Sequence, residues 1–236
     1  MPLTALGLWS LAAPSAAGIL KPEIFSMRPN PMLEKQLKDK GIKDTRVLEA
    51  FGAIPRHLFV PEEFQNSAYE DRPLPIGHSQ TISQPYIAAY MTEALQIEST
   101  QKILEVGAGS GYQAAVLAKL ARSVYTLEIV EPLYRQAKEA LSHLQISNVF
   151  LRLANGWQGW PEEAPFDKII VTAAAARPPR ELFAQLKDGG LIIFPLGPQE
   201  DVQTLVLGKK IEGEVKTKAL LPVRFVPFIH DKNDSE

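Results

Sequence analysis

Residues 102–121 read KILEVGAGSGYQAAVLAKLA, the strongest local structural signal in this 236-residue chain. The first five residues, 102–106, are a short apolar run typical of a buried strand, and residues 114–121 have the composition of a helix. Three glycines lie between them, and glycine is needed where a backbone turns sharply or approaches a ligand without a Cβ in the way. The stretch therefore predicts a strand, a ligand-binding glycine loop and a helix.

The spacing of the glycines narrows the class of ligand. A dinucleotide-binding loop follows the pattern G-x-G-x-x-G, which would place its third glycine at position 112, where this chain has Tyr112. The pattern here is G-x-G-x-G. It disfavours a dehydrogenase and resembles the first motif of the class I methyltransferases that use S-adenosylmethionine. The alternative is a tight turn that binds no ligand.

Strand-like and helix-like segments alternate along most of the chain. Strands are predicted at 102–106, 123–128, 148–153, 166–172 and 191–196, and helices at 114–121, 131–144 and 179–190. This alternation predicts an α/β fold with a doubly wound, mostly parallel sheet, as in the class I (Rossmann-like) methyltransferases. Residues 202–210 and 215–229, joined by Glu212-Gly213, predict a C-terminal antiparallel hairpin at the sheet edge.

The N-terminal part of the chain lacks this alternation. Two short helices are predicted between residues 31 and 51, with Gly41 after the first and Asp44 as the N-cap of the second. Residues 54–80 predict irregular chain with short turns, and a helix begins near Pro85. The expected organisation is an N-terminal extension over 1–30, a single domain over 31–229 with an N-terminal helical subregion over 31–100, and a polar tail over 230–236.

Composition excludes several functions. The formal net charge is −2, so nothing predicts a nucleic-acid or anionic-membrane partner, and no apolar run reaches the roughly 20 residues of a membrane span. Cys is absent, which excludes disulfides and thiolate chemistry, and no metal site is expected. We expect a cytoplasmic monomer. The alternative is export, if residues 1–20 act as a signal peptide although no Lys or Arg precedes their apolar run.

Two acids belong to neighbouring predicted strands at the edge where open α/β sheets bind ligands. Glu128 ends the second strand, the usual position of a carboxylate that takes both ribose hydroxyls of a nucleoside. Its alternative interpretation is a solvated charge at a strand end. Glu105 lies at the end of the first strand, and in methyltransferases an acid there helps to orient the methionine end of the cofactor.

Blocks of sequence across residues 31–229 extend the resemblance well beyond the glycine loop. They are RHLFVP (56–61), AYED (68–71), Gly77, QTISQP (80–85), LEVGAGSGY (104–112), QGWP (158–161), APFD (164–167), VTAAA (171–175) and RFVP (224–227). Together they resemble the protein-L-isoaspartate (D-aspartate) O-methyltransferase family. The block containing Thr81-Ile82-Ser83-Gln84-Pro85 is distinctive of that family.

The resemblance implies a function and a set of site residues. The enzyme would transfer a methyl group from S-adenosyl-L-methionine to the free carboxylate of L-isoaspartyl residues in damaged proteins or peptides, leaving S-adenosyl-L-homocysteine. Ser83 would be the catalytic residue, and Arg224, Phe225 and Val226 would bind the substrate. The residues implied in cofactor binding are Thr81, Ile82, Gln84, Glu105, Gly107, Ala108, Gly109, Gly111, Glu128, Asn155 and Gly156.

One segment departs from the family pattern. Members usually carry Gly-Asp-Gly after the third strand, with the Asp facing the adenine ring, and this chain has Ala154-Asn155-Gly156. The Asn155 side-chain oxygen can still accept a hydrogen bond, but without the strength that a charge adds. If the backbone there has positive φ, Ala154 would add strain. We expect weaker cofactor binding than in a Gly-Asp-Gly version.

The chemistry leaves more than one interpretation of Ser83. A model carboxyl group has a pKa of about 4, so the acceptor carboxylate is already ionised at neutral pH. Methyl transfer to it therefore needs orientation of the reactants rather than a general base. Ser83 suits that task as a hydroxyl donor, but it could instead cap the helix near Pro85. Two alternative functions also stay open: methylation of a different carboxylate acceptor, and cofactor binding without turnover.

Overall fold

The computed structural model describes residues 30–198 and 201–228. The predicted N-terminal extension up to residue 29 and the polar tail 230–236 lie outside the described residues. The N-terminal subregion contains α1 (Pro31–Asp39), α2 (Thr45–Ala53), two 3-10 turns (Arg56–Phe59 and Glu62–Ser67), the hairpin β1 (Leu74–Gly77) and β2 (Gln80–Ile82), and α3 (Pro85–Ala94).

The remaining elements form the α/β part of the molecule. In chain order they are β3 (Lys102–Val106), α4 (Tyr112–Leu120), β4 (Ser123–Glu128), α5 (Glu131–His143), β5 (Val149–Leu153), β6 (Phe166–Val171), α6 (Arg180–Gln185), β7 (Leu186–Leu196), β8 (Gln203–Ile211) and β9 (Glu214–Val223). Two further 3-10 turns, Gly156–Gln158 and Pro161–Glu163, lie between β5 and β6.

Strands β3 to β9 form one seven-stranded sheet in the order β5-β4-β3-β6-β7-β8-β9. The pairs from β5 to β7 are parallel, and β8 and β9 continue the sheet antiparallel. Because β3 lies between β4 and β6, the chain reverses its direction of winding at the carboxyl end of β3. That reversal is the place where open α/β sheets bind ligands. The expected doubly wound sheet with an antiparallel edge hairpin is confirmed.

Both faces of the sheet are buried. One core lies between the sheet and the helices α1 to α5, with Leu33, Phe51, Met91, Leu117 and Leu133 among its members. The other packs α6 and the turn at Gly156–Gln158 against the opposite face. Sheets of this class bury both faces, which accounts for the nearly continuous apolar runs of their central strands.

Helix α6 is shorter than the sequence predicts. The expected helix 179–190 ends at Gln185, and β7 begins at Leu186. Phe166 pairs with Leu186 and Lys168 pairs with Leu191, so residues 187–190 on β7 lie opposite the single residue Asp167 on β6 and form a bulge. A Cβ on Gly190 would lie 2.8 Å from the Asp167 carbonyl oxygen, so only glycine fits at this position of the bulge.

Two further differences concern short extended segments. Residues 74–82 form the hairpin β1–β2 within a stretch predicted to be irregular. The expected strand 215–229 ends at Val223, after which the chain crosses the carboxyl end of the sheet. There, the Ala174 amide donates to the Val226 carbonyl (2.8 Å) and the Phe228 amide donates to the Ala174 carbonyl (3.0 Å). The predicted caps at Gly41 and Asp44 are confirmed.

Candidate active site

Three connected hollows lie at the carboxyl ends of the parallel strands. The inner cavity is lined by Val106, Gly107, Glu128, Gly156 and Phe228, among others. The outer cavity is lined by Ser83, Gln84, Ile87, Arg224 and Phe225, among others. A cleft lined by Ile82, Ser83, Ala108, Gly109 and Gln113, among others, lies between them. Thr81 and Thr172 line all three hollows, so their side chains mark the junction.

The glycine loop has the close backbone approach that its sequence predicts. Gly107 has φ of +95°, and a Cβ there would lie 2.4 Å from the Thr172 hydroxyl oxygen. Gly111 has φ of +87°, and a Cβ there would lie 3.3 Å from the backbone of Ala137 in α5. Any other residue would be strained at both positions and would also collide with a neighbour at Gly107. Gly107 and Gly109 line the inner cavity, whereas Gly111 turns the chain into α4.

Glu128 is held at the wall of the inner cavity by backbone amides. Its side chain is almost buried, and one carboxylate oxygen accepts from the Gly109 amide at 2.7 Å. The other oxygen accepts from the amides of Ile129 and Val130, both at 2.9 Å. Burial raises the pKa of Glu128, and these three bonds oppose the shift. A carboxylate has about four acceptor positions, so one remains for a ligand hydroxyl.

Glu105 lies beneath the glycine loop rather than on the wall of the inner cavity. Its side chain is fully buried, and one carboxyl oxygen accepts from the Thr126 hydroxyl while the other has no partner among the described residues. Burial raises the pKa of Glu105 to about 8, and the nearby Glu128 acts in the same direction. The structure therefore does not bring Glu105 into contact with the cavity, and its role toward a cofactor stays a prediction.

The hydroxyl of Ser83 does not cap α3, so the capping interpretation is wrong. The N-cap is Gln84, and its side chain makes no capping bond. The cap comes from Asp71, which accepts from the Tyr86 amide at 2.9 Å and from the Gln84 side-chain amide at 2.9 Å. Ser83 is half-buried, and its hydroxyl makes no hydrogen bond to the described residues. It is thus free to donate into the cleft and the outer cavity.

The remaining residues expected to bind the cofactor lie in different places. Ile82 and Ala108 line the cleft. Gln84 lines the outer cavity, where Asp71 holds its side chain, and so lies on the side expected to bind substrate. Gly156 lines the inner cavity, and a Cβ there would lie 2.3 Å from a methyl carbon of Val106.

Asn155 caps the 3-10 turn that follows it. Its side-chain oxygen accepts from the Trp157 amide at 2.9 Å. Ala154 does not have positive φ, so the strain that the sequence suggested for it is absent. The substitution of Asn for Asp therefore changes charge at this position without distorting the backbone.

The residues expected to bind substrate come together on one side of the outer cavity. Arg224, Phe225 and Val226 all line it, and Val226 also reaches the inner cavity. The Phe225 amide donates to the Gln203 side chain at 2.9 Å, so this segment is anchored to β8. Because it follows β9 rather than extending it, the segment is not the edge strand that the sequence suggested.

Thr172 was not singled out from the sequence as a site residue. Its hydroxyl lies 2.7 Å from the Gly107 carbonyl oxygen and 3.0 Å from that of Val106, and the residue faces all three hollows. The available signal was its position directly after β6, at the same sheet edge as the glycine loop.

Within residues 30–198 and 201–228, no cluster of acids and histidines could hold a metal ion. No helix there is long and apolar enough to cross a membrane.

Comparison with known proteins agrees with this geometry. The family described as protein-L-isoaspartate(D-aspartate) O-methyltransferase matches residues 27–233. A protein-L-isoaspartate O-methyltransferase of Opitutus terrae is 52% identical over 201 residues, which cover 85% of this chain and 86% of that protein. One from Synechococcus sp. is 47% identical over 238 residues, 94% of this chain and 96% of that protein.

Solved structures support the same assignment of the fold. A protein-L-isoaspartate O-methyltransferase superposes with a TM-score of 0.78 at 30% identity, covering 84% of this chain and 65% of the other. A candidate enzyme of the same type from Plasmodium falciparum, in complex with S-adenosyl-L-homocysteine, superposes with a TM-score of 0.74 at 27% identity. That match covers 86% of this chain and 99% of the other. The expected class I methyltransferase fold is confirmed.

The capping arrangement of α3 is testable by stability measurements. Asp71→Ala leaves the Tyr86 amide without its acceptor, and loss of an N-cap costs about 1–2 kcal/mol. Ser83→Ala removes no cap, and we expect its free energy of unfolding in urea to stay within about 0.5 kcal/mol of the parent. Asp39→Ala, at an exposed ion pair on α1, is the control for removal of a carboxylate. A Ser83→Ala loss as large as that of Asp71→Ala would contradict the assignment.

The raised pKa of Glu105 predicts a pH dependence of stability. Its folded-state pKa of about 8 lies above the ordinary value of 4.5, so the folded protein binds this proton more tightly than the unfolded chain does. The stabilisation is complete below about pH 4.5 and is lost as the pH rises to about 8. Urea unfolding at several pH values in this window should show a flatter profile for Glu105→Gln. Glu128 is present in both proteins, so the difference between the two profiles reports Glu105 together with its coupling to Glu128, and equal slopes would count against the prediction.

Proposed function

Because the chain belongs to the protein-L-isoaspartate(D-aspartate) O-methyltransferase family, we infer its reaction from that family and the roles of its residues from the site. The protein transfers a methyl group from S-adenosyl-L-methionine to the free carboxylate of L-isoaspartyl residues in damaged proteins and peptides. The observation that carries the assignment of roles is the position of Ser83. Its unpartnered hydroxyl lies between the hollow suited to the cofactor and the hollow suited to the peptide.

The inner cavity fits a nucleoside cofactor. Glu128 presents a carboxylate to its interior, and the glycines at 107 and 156, where a Cβ would collide with Thr172 and Val106, let the cavity walls pack closely around it. We propose that Glu128 accepts one ribose hydroxyl at its remaining acceptor position and that Asn155 and Gly156 lie at the adenine end. The cleft lined by Ile82 and Ala108 then holds the methionine end. When bound, S-adenosyl-L-methionine supplies a methyl group on a positively charged sulfur.

The residues around the junction have the types that this reaction needs. The acceptor carboxylate is already ionised, so no general base is required, and none of the residues lining the three hollows within the described parts of the chain is a histidine. Ser83 donates a hydrogen bond to one carboxylate oxygen and leaves the other aligned for the displacement. Ile87, Phe225 and Val226 shelter this region from water.

The segment Arg224–Val226 forms the peptide-binding wall of the outer cavity in this proposal. Two of its backbone groups are already used, since the Phe225 amide donates to Gln203 and the Val226 carbonyl accepts from Ala174. A peptide would pair with the groups that remain. Main-chain pairing does not depend on side chains, so it suits an enzyme whose substrates vary in sequence.

The proposal includes a cytoplasmic monomer that needs neither nucleic acid nor a membrane. Residues of a single chain line both the inner and the outer cavity, so a second copy is not needed to complete them. The formal net charge of −2 gives the chain no excess of basic residues for binding a polyanion.

Matched peptides test the function and the role of Ser83 together. The protein is incubated with labelled S-adenosyl-L-methionine and peptides that differ only in carrying isoaspartyl or normal aspartyl, and label is expected on the isoaspartyl peptide alone. Ser83→Ala should lower kcat by about 10- to 100-fold, because it removes a hydrogen bond to a charged group. The Kd of the cofactor, measured by calorimetry, should change by less than about twofold.

Ser142→Ala, an exposed serine on α5, is the matched control and should leave kcat unchanged. Label on neither peptide, with the cofactor still bound, would instead indicate a different acceptor or a protein that binds without turnover. An unchanged kcat in Ser83→Ala would remove the assigned role of the hydroxyl while leaving the function in place.

This chain has Asn155 where the family usually has Asp, so we expect that restoring Asp at this position increases the affinity for the cofactor. Asn155→Asp keeps an acceptor for the Trp157 amide and adds a charge at the position that the family resemblance assigns to the adenine end. We expect the cofactor Kd, measured by calorimetry, to fall by about three- to tenfold. Asn66→Asp makes the same change of charge at an exposed turn and should leave Kd unchanged. Unchanged or weaker binding by Asn155→Asp would contradict the expectation.

A further inference from the structure

Arg56 is a fully buried cation whose position needs an explanation. It begins the 3-10 turn Arg56–Phe59, and among the described residues no Asp or Glu side chain forms an ion pair with it, while Asp71 favours its charge only through longer-range electrostatics. Burial lowers the pKa of its guanidinium, as for any cation held away from water. Burying a charge without an ionic partner is unfavourable, so the contacts that compensate for it show what the residue does.

The contacts of Arg56 join three separate segments of the chain. Its Nε donates to the Ala68 carbonyl at 2.7 Å, and its Nη2 donates to the Ser83 carbonyl at 2.8 Å. The guanidinium carbon lies 4.9 Å from the centre of the Tyr112 ring. Tyr112 is the first residue of α4, directly after the glycine loop. One side chain thus links the segment carrying Ser83 to the helix that follows the cofactor loop.

The backbone around Ser83 is held from two directions. Arg56 fixes the Ser83 carbonyl, while Asp71 holds the Gln84 side chain and the Tyr86 amide that follow it. Arg56 thus fixes the peptide group after residue 83, and Ile82 before it pairs with Leu74 in the β1–β2 hairpin, so the direction of the Ser83 Cα–Cβ bond is fixed as well. The hydroxyl makes no hydrogen bond to the described residues, so the backbone fixes the position of its Cβ and leaves the hydroxyl a small set of staggered rotamers from which to donate.

We propose that Arg56 is a positioning residue for methyl transfer, because it fixes the Ser83 backbone, and with it the position of the hydroxyl-bearing Cβ, relative to the glycine-loop helix where the cleft meets the outer cavity. It does not line either cavity or the cleft, so it acts through Ser83 and Tyr112 and not on the substrate. The proposal rests on the role assigned to Ser83 above.

Lysine cannot reproduce this arrangement. An arginine guanidinium is planar and carries donors that point in several fixed directions, so it can reach two carbonyls on different segments while stacking on a ring. A lysine ammonium keeps the charge but offers its donors from a single nitrogen atom. Arg56→Lys therefore preserves the buried charge while weakening the geometric link to Ser83.

The test measures kcat, the KM for the isoaspartyl peptide, the cofactor Kd and Tm for Arg56→Lys. We expect kcat to fall about 10- to 100-fold, because a shift of about 1 Å at a reacting group has effects of this size, with the cofactor Kd within about twofold of the parent. Arg46→Lys is the matched control, since the Arg46 guanidinium also donates to a backbone carbonyl, that of Ile97 at 3.0 Å, away from the cavities. A lower Tm with unchanged kcat would overturn the proposal, because a purely structural role predicts that result.

A double-mutant cycle with Ser83→Ala isolates the proposed route. If Arg56 acts by placing the Ser83 hydroxyl, the fall in kcat caused by Arg56→Lys should largely disappear in the Ser83→Ala background. A full and independent effect in that background would overturn the proposal. Arg56→Gln, which retains donors for one carbonyl, replaces Arg56→Lys in the same cycle if the lysine variant does not fold.

The cycle also separates this proposal from the function on which it rests. If the parent protein methylates neither peptide, the proposed function fails and the role of Arg56 fails with it. If the parent methylates the isoaspartyl peptide but the two substitutions act independently on kcat, only the role of Arg56 fails.

Discussion

The site depends on the close packing of glycine backbone against neighbouring side chains at the carboxyl ends of β3 and β6. Gly107 lies against the Thr172 hydroxyl, and Gly156 lies against Val106, each at a distance that leaves no space for a Cβ. This approach brings the glycine loop, the end of β6 and the turn after β5 around one cavity. Because left-handed backbone at Gly107 is strained for other residues, the geometry of the cavity is fixed by the loop's composition before any side chain makes a contact.

The same close packing raises the pKa values of the two acids at the site by excluding water from them. Glu105 and Glu128 lie on adjacent strands in a nearly dry region, and burial raises the pKa of both. They differ in their hydrogen bonds, since three backbone amides support the Glu128 carboxylate and a single hydroxyl contacts Glu105. Environment thus separates two chemically similar acids: one is presented to the cavity, and the other is held within the core beneath the loop.

The sequence predicts what local signals specify, namely the alternating strands and helices, the glycine loop and the acid that ends β4. It does not predict features that depend on contacts between distant segments. The cap of α3 comes from Asp71, and proximity in sequence wrongly suggested Ser83. The predicted helix over 179–190 runs past Gln185 because no local signal marks the bulge, at which a Cβ on Gly190 would collide with the backbone of Asp167. Thr172 and Arg56 acquire their roles only when folding brings other segments beside them.

The needs of the reaction explain why contacts from several segments of the chain hold the backbone around Ser83 in place. An ionised carboxylate needs no base, so the enzyme gains rate mainly by orienting two reactants that a shared cavity has already brought together. A serine hydroxyl that also capped a helix would have its hydrogen-bonding capacity divided between two tasks. Here Asp71 takes over the cap and leaves the Ser83 hydroxyl without a partner among the described residues. Placing the cap on a separate loop leaves the hydroxyl available for the role proposed for it, and the surrounding backbone contacts fix the position of the Cβ that carries it.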